Sequence, residues 1–246
     1  MAQLDGKKAF VTGGSRGIGA EIVRRLVADG AAVAFTYANS EAEAERLVAD
    51  VTAGGGRAVA IRANAAEPAD ITSAVEQAAG DLGGLDIVVN NAGTAHLAPV
   101  EEFNAEQFDR VVAVNVGGVF WTVHSALKHL GDGARIINIG SVNADRVPGP
   151  GVSVYALTKG AVSSFTRGLA RELGPRGITV NNVQPGPIDT DMNPDEGDFA
   201  ESLKEIVALG RYGRTADVAA IVSFLAGPDA AYVTGANLNV DGGFTI

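Results

Sequence analysis

Apolar positions along the chain alternate between two patterns. Ile18, Ile22, Val23, Leu26 and Val27 recur at three- and four-residue spacing, a helical stripe over 18–29 that Gly30 ends. Before it, Lys8 to Thr12 is a short apolar run that stops at glycines, and Ala31 to Tyr37 is a second run of the same kind. The alternation continues to the end of the chain. Strands are predicted over 58–62, 86–90, 135–141, 179–184 and 236–240, and helices over 41–52, 68–82, 105–130, 154–173 and 216–225. Ile87-Val88-Val89 is apolar at every position, as a strand covered on both faces requires. The predicted fold is a single α/β domain over 1–246: a doubly wound parallel sheet of about seven strands with helices on both faces and right-handed crossovers. No Ser/Gly run, charge block or low-complexity tract marks a linker. Ligands in such folds sit at the carboxyl ends of the strands.

Composition removes several classes of function. The formal charge of −10 argues against nucleic acid, which needs a basic surface, and mildly against a strongly acidic protein partner. With 46% hydrophobic and 20% charged residues there is ample core material, yet no apolar run reaches the length of a membrane span. The opening Met-Ala-Gln-Leu-Asp-Gly-Lys-Lys lacks the apolar stretch of a secretory leader, so a cytoplasmic location is expected. There is no cysteine, and His96, His124 and His129 have no ligand spacing, so no metal site is predicted.

Candidate chemistry starts at the first strand end. Thr12-Gly13-Gly14-Ser15-Arg16-Gly17-Ile18-Gly19 joins a strand to a helix. One glycine lets the chain turn, another admits a pyrophosphate, and a third allows close helix–strand packing. Ser15 and Ile18 lie in the same turn. After the second strand, Tyr37-Ala38-Asn39-Ser40 has no carboxylate before Glu41. An acidic residue there would bind a ribose 2′-hydroxyl and repel a 2′-phosphate. Its absence, with Arg16 as a cation and Asn39 and Ser40 as hydrogen-bonding groups, favours NADP(H) over NAD(H). Asn64, with Ala65, is placed to meet the adenine edge. Asn90-Asn91-Ala92-Gly93 offers small residues against which the ribose can lie, with Asn90 expected to fix the turn.

The reacting centre is predicted around Tyr155 and Lys159, one helical turn apart on one face. A free phenol titrates near pH 10, and lowering it by about three units needs about 4 kcal/mol. An ammonium about 4 Å away at an effective dielectric of about 20 supplies that much. Tyr155 then exchanges a proton with a carbonyl or alcohol oxygen, and Ser141, at a strand end, stabilises charge on that oxygen.

The chain resembles the short-chain dehydrogenase/reductase family from Lys7 to Phe244. The glycine turn, Asn90-Asn91-Ala92-Gly93, Asn115, Ser141, Tyr155-x-x-x-Lys159 and Pro185-Gly186-Pro187-Ile188-Asp189-Thr190 occur in the family's order. The resemblance implies a Rossmann-type domain with Asn115, Ser141, Tyr155 and Lys159 as catalytic tetrad. It implies that Lys159 also holds the nicotinamide ribose, and that the Asn115 carbonyl positions a water in a proton relay. Pro185, Gly186, Ile188 and Thr190 would contact the nicotinamide end. It further implies a homotetramer, built partly on the helices carrying Asn115 and Tyr155. Asn64 departs from the acidic residue usual at its position.

Three activities follow. The leading one is an NADPH-dependent carbonyl reductase or alcohol dehydrogenase acting on a small or medium ketone or secondary alcohol. The others are a 3-oxoacyl-[acyl-carrier-protein] reductase, with Lys128 and Arg176 as a local basic patch, and a cyclic-dinucleotide- or NADPH-binding regulator without turnover. The polar stretch 190–212 is predicted as a substrate lid with its own helix around 199–209. Its acidic residues, Glu196 among them, are either solvated or select basic substrates.

Overall fold

The computed structural model describes residues 3–246; the first two residues of the predicted 1–246 domain lie outside the described residues. In chain order the elements are β1 (Lys8–Val11), α1 (Gly17–Ala28), β2 (Ala32–Tyr37), α2 (Glu41–Ala53), β3 (Ala58–Arg62), α3 (Pro68–Leu82) and β4 (Leu85–Asn90). There follow α4 (Ala105–Val112), α5 (Gly118–Ala126), β5 (Leu130–Ile139), α6 (Ser153–Leu173), β6 (Thr179–Pro185), α7 (Asp198–Ile206), α8 (Thr215–Ala226) and β7 (Asn237–Val240).

The seven strands form one parallel sheet in the order β3-β2-β1-β4-β5-β6-β7. Neighbouring β1 and β4 are where the strand order reverses, so their carboxyl ends border the crevice in which this topology receives ligands. Side chains of each strand alternate between two cores. Ala9, Val11, Val33 and Phe35 join Val23, Leu26, Val222 and Leu225 from α1 and α8 on one face. Phe10, Ala34, Val88 and Ile136 join Val75, Val123 and Leu169 from α3, α5 and α6 on the other. This two-sided cover explains the continuous apolar strands.

The helix predicted over 105–130 is not continuous. Ala113–Gly117 forms a π-helical turn between α4 and α5, and β5 begins at Leu130. The cause is tertiary. The buried Asn115 side chain is bonded to Thr94 and Thr158 outside its own helix. At Gly118 the Ala65 carbonyl comes within 2.8 Å of where a Cβ would stand. The π-helical turn lies between these two contacts, and π-bulges recur at functional sites.

Candidate active site

The glycine turn is held from two neighbouring strands. Gly13 N–H donates to Thr36 Oγ1 at 3.0 Å and Gly14 N–H to Thr36 O at 2.8 Å. Gly13 has φ +64°, and a Cβ there would meet Ala92 Cα at 3.0 Å. At Gly19 a Cβ would stand 2.1 Å from Gly13 O, so helix and turn can approach only without one. Asn91 Nδ2 donates to Thr12 O at 3.0 Å and Gly13 O at 2.8 Å, while Thr12 Oγ1 accepts from Asn91 N and Ala92 N, both at 3.0 Å. This corrects the part predicted for Asn90, whose buried amide instead donates to Asn138 across the sheet at 2.8 Å. Asn91 fixes the turn because its side chain reaches the carbonyls at the end of β1, whereas the Asn90 side chain lies on the face covered by α6, where Asn138 donates to Thr166. The start of α1 has no side-chain cap, which leaves first-turn amides facing the crevice, and Ser15 is buried in the turn. A glycine cradle opening on free helix amides fits a dinucleotide pyrophosphate.

The adenosine end lies beyond β2 and β3. Ala38, Asn39, Arg62, Asn64 and Arg110 help line a cavity of about 460 Å³ there. Tyr37 Oη donates to Glu41 Oε1 at 3.3 Å, and Ser40 caps α2 without a side-chain bond. Asn64 Oδ1 already accepts from Ala66 N at 3.1 Å, so its Nδ2 is the group more open to an adenine edge. Ala65 packs on Gly118. Arg16 reaches away from the strand end and faces Asp191 at 3.8 Å, both exposed.

At the ends of β4 and β5 the predicted tetrad is brought into one region. Lys159 is 5% exposed, donates from Nζ to Ile139 O at 3.0 Å, and lies 5.5 Å from the centroid of the Tyr155 ring. Ile139 ends β5, two residues before Ser141. Ser141 Oγ donates to Asn143 Oδ1 at 3.2 Å and accepts from Asn143 N at 3.1 Å. A Cβ on Gly93 would lie 3.6 Å from Asn115 Oδ1 and 3.7 Å from Lys159 Nζ, so this glycine floors the space between them. Asn115 Oδ1 accepts from Thr94 N, and its Nδ2 donates to Thr94 O, all at 2.9 Å.

A family model described as Enoyl-(Acyl carrier protein) reductase matches residues 13–245. A short-chain dehydrogenase/reductase from Serratia marcescens is 55% identical, with a TM-score of 0.98 over 99% of this chain and 100% of that one. The chain belongs to the short-chain dehydrogenase/reductase family. A blue fluorescent protein from a metagenomic library, solved in complex with NADPH, is 52% identical with a TM-score of 0.97 over 99% and 100% of the two chains. The Cyclic-di-GMP-binding biofilm dispersal mediator protein of Escherichia coli (strain K12) is 43% identical over 99% of both chains. Proteins of different activity share this fold, so function has to be argued from the site.

The remaining predicted positions of this family member follow β6. Pro185 ends that strand, Gly186 N–H donates to Val240 O at 3.0 Å, and a Cβ on Gly186 would stand 2.7 Å from Asp241 Cβ. Ile188 is buried and bridges to Gly213, while Thr190 bridges to Asn193 and faces Gly17, where a Cβ would meet its Cγ2 at 3.6 Å. Thr190 thus stands across the crevice from the glycine turn. Beyond it α7 buries Ala200 and Leu203 with Val142, Val207, Tyr212 and Phe244. Glu196 is exposed, whereas Asp195 pairs with Lys204 at 2.5 Å. Donating to Asp195 and Glu201 raises the Lys204 ammonium above its ordinary range. Among the described residues no cluster of His, Asp or Glu could hold a metal, and no helix is long and apolar enough to cross a membrane. Thr12, Thr36, Thr94 and Thr158 all bond to site residues. Only Thr12 and Thr158 had a sequence signal, their places inside the two motifs.

Proposed function

We propose that the chain is an NADPH-dependent carbonyl reductase, reversible as an alcohol dehydrogenase, acting on a small or medium ketone. What carries this reading is the buried Lys159 ammonium beside the Tyr155 ring, joined through Ile139 to the Ser141 strand end. A protein that only bound a dinucleotide would need neither the phenol nor the ammonium. The glycine cradle and the NADPH of the fluorescent relative support NADP(H) as cofactor.

In reduction NADPH, when bound in the crevice, would supply the hydride that the carbonyl carbon takes up. Tyr155 Oη gives its proton to the carbonyl oxygen, so that C=O becomes CH–OH and the phenol is left as phenolate. Ser141 Oγ donates a hydrogen bond to the same oxygen as charge builds on it. The Lys159 ammonium favours the phenolate, and Asn115 keeps its π-helical turn against α6, where the proton relay would start. Leu97, Val147, Met192 and Phe199, all exposed, lie on segments around the crevice and would cover an apolar substituent.

Self-association belongs to the same reading. Phe120 is 43% exposed and groups with Trp121, His124 and Phe165 on α5 and α6, the helices the family resemblance assigns to a homotetramer. The carrier-protein alternative loses support, because Lys128 pairs with Glu76 at 2.5 Å and Arg176 with Asp132 at 3.5 Å. A regulator without turnover is the second reading, favoured by the name of the E. coli relative.

The test is absorbance at 340 nm with NADPH and a panel of ketones that includes a 3-oxoacyl thioester. Turnover that Tyr155→Phe abolishes supports the reductase. Tight binding of NADPH or a cyclic dinucleotide with no turnover on the panel would support the regulator.

A further inference from the structure

The adenosine end of the crevice holds a guanidinium that no motif picked out. Arg62 closes β3, and the parallel register sets it opposite Tyr37, the last residue of β2. Register partners in adjacent strands project to the same face, so Arg62 lies on the Tyr37 side of the sheet. Ala38 and Asn39, which follow Tyr37, line the same cavity as Arg62. In this fold the end of the second strand is where the 2′ substituent of the adenosine ribose is read.

The charges around that strand end call for a cation. Glu41 Oε1 lies 3.3 Å from Tyr37 Oη, where it would repel a 2′-phosphate. Burial raises the Tyr37 phenol and Glu41 raises it further, while the positive charge of Arg62 pulls it the other way. Arg62 stands at this corner as the register partner of Tyr37. It is exposed, and none of the ion pairs among the described residues includes it. Arg16, the cation of the glycine turn, is turned toward Asp191, and Arg110 lines the same cavity from α4, which follows β4 and not β2. Ser40 makes no capping bond, so its hydroxyl and the first amides of α2 are open to an anion.

We propose that Arg62 grips the 2′-phosphate of NADPH, with Asn39 and Ser40 as hydrogen-bonding partners, and thereby sets the preference for NADPH over NADH. This rests on the NADPH reading above. A guanidinium offers a planar fork to phosphate oxygens, which an ammonium does not.

The experiment is calorimetric titration of the full chain with 2′,5′-ADP and with 5′-AMP, two probes that differ only in the 2′-phosphate. The unmodified chain binds 2′,5′-ADP about tenfold or more tighter than 5′-AMP. Arg62→Gln removes most of that factor and leaves 5′-AMP binding within about twofold, which also certifies the fold. Arg62→Lys restores part of it. An Arg62→Gln protein that keeps the full preference overturns the assignment, and loss of the preference in Arg16→Gln instead would move the clamp to Arg16. Equal binding of both probes by the unmodified chain overturns the NADPH reading itself, and the role of Arg62 with it.

Discussion

Asn115 and Thr158 tie the π-helical turn to helix α6: Asn115 Nδ2 donates to Thr158 Oγ1 at 3.1 Å, and that hydroxyl donates to Tyr155 O at 2.8 Å. One hydroxyl therefore links the Asn115 side chain to the backbone of the helix that carries Tyr155. Thr158→Val keeps the shape and strands a buried amide N–H, at a cost of about 1–3 kcal/mol. Urea denaturation should register that loss, and ketone reduction should fall with it. Thr158→Ser keeps the hydroxyl and should retain most of both properties. Equal behaviour of the Val and Ser variants would contradict the link.

Gly19 marks the closest approach in the cradle. Gly19→Ala would put a methyl 2.1 Å from Gly13 O and 2.5 Å from Asn91 Nδ2, which is itself bonded to that carbonyl. The variant is expected to lose about 3 kcal/mol or more and its NADPH affinity. Thermal melting with and without NADPH measures both. A variant that melts and binds like the parent would mean that α1 can shift.

The Arg16–Asp191 pair spans the mouth of the crevice between exposed side chains. Exposed pairs of this kind add little to stability, so Asp191→Asn should move Tm by no more than about 1 °C. It also releases the guanidinium toward the cofactor, so NADPH should bind somewhat tighter at low salt and less so at high salt. Weaker binding in the variant would show that Asp191 helps the cofactor.

Glu196 is exposed, which favours a solvated carboxylate over one that selects basic substrates. Glu196→Ala should leave the ratio of rates for amino ketones and neutral ketones unchanged, as read at 340 nm. A fall in that ratio would restore the selective role.

Asp217 gives the acid limb of stability. Its carboxyl is held below the ordinary aspartate range, chiefly because Arg214 N–H donates to Oδ2 at 2.8 Å at the start of α8, with Arg214 and Arg211 adding charge. Between its folded and unfolded pKa the unfolded chain binds more protons, so stability rises with pH there. The contribution is complete above about pH 4 and is lost as pH falls through the depressed folded value. Asp217→Asn should be less stable at pH 7 and lose less on acidification, measured by urea midpoints from pH 3 to 7. An unchanged acid slope would remove Asp217 from that limb.

Strand and helix order, the parallel sheet and both motifs were legible from residue spacing. Periodicities of two and 3.6 report burial locally, and glycines at a strand–helix junction announce a backbone that side chains would block. Ala58–Arg62 and Pro68–Leu82 begin and end where the pattern predicts. The long helix over 105–130 was predicted unbroken because nothing local to Asn115 interrupts it. Its π-helical turn comes from partners 21 and 43 residues away in sequence, Thr94 and Thr158. Likewise the glycine motif announced a turn, but which asparagine holds it depended on the faces of β4. The sequence by itself determined which elements form and which residue types could carry hydride chemistry, because those depend on neighbours within a turn or two. Only the tertiary structure decided that Arg16 faces Asp191, that Arg62 stands beside Tyr37, and that Lys159 reaches Ile139, because charge placement depends on register and on contacts between distant segments.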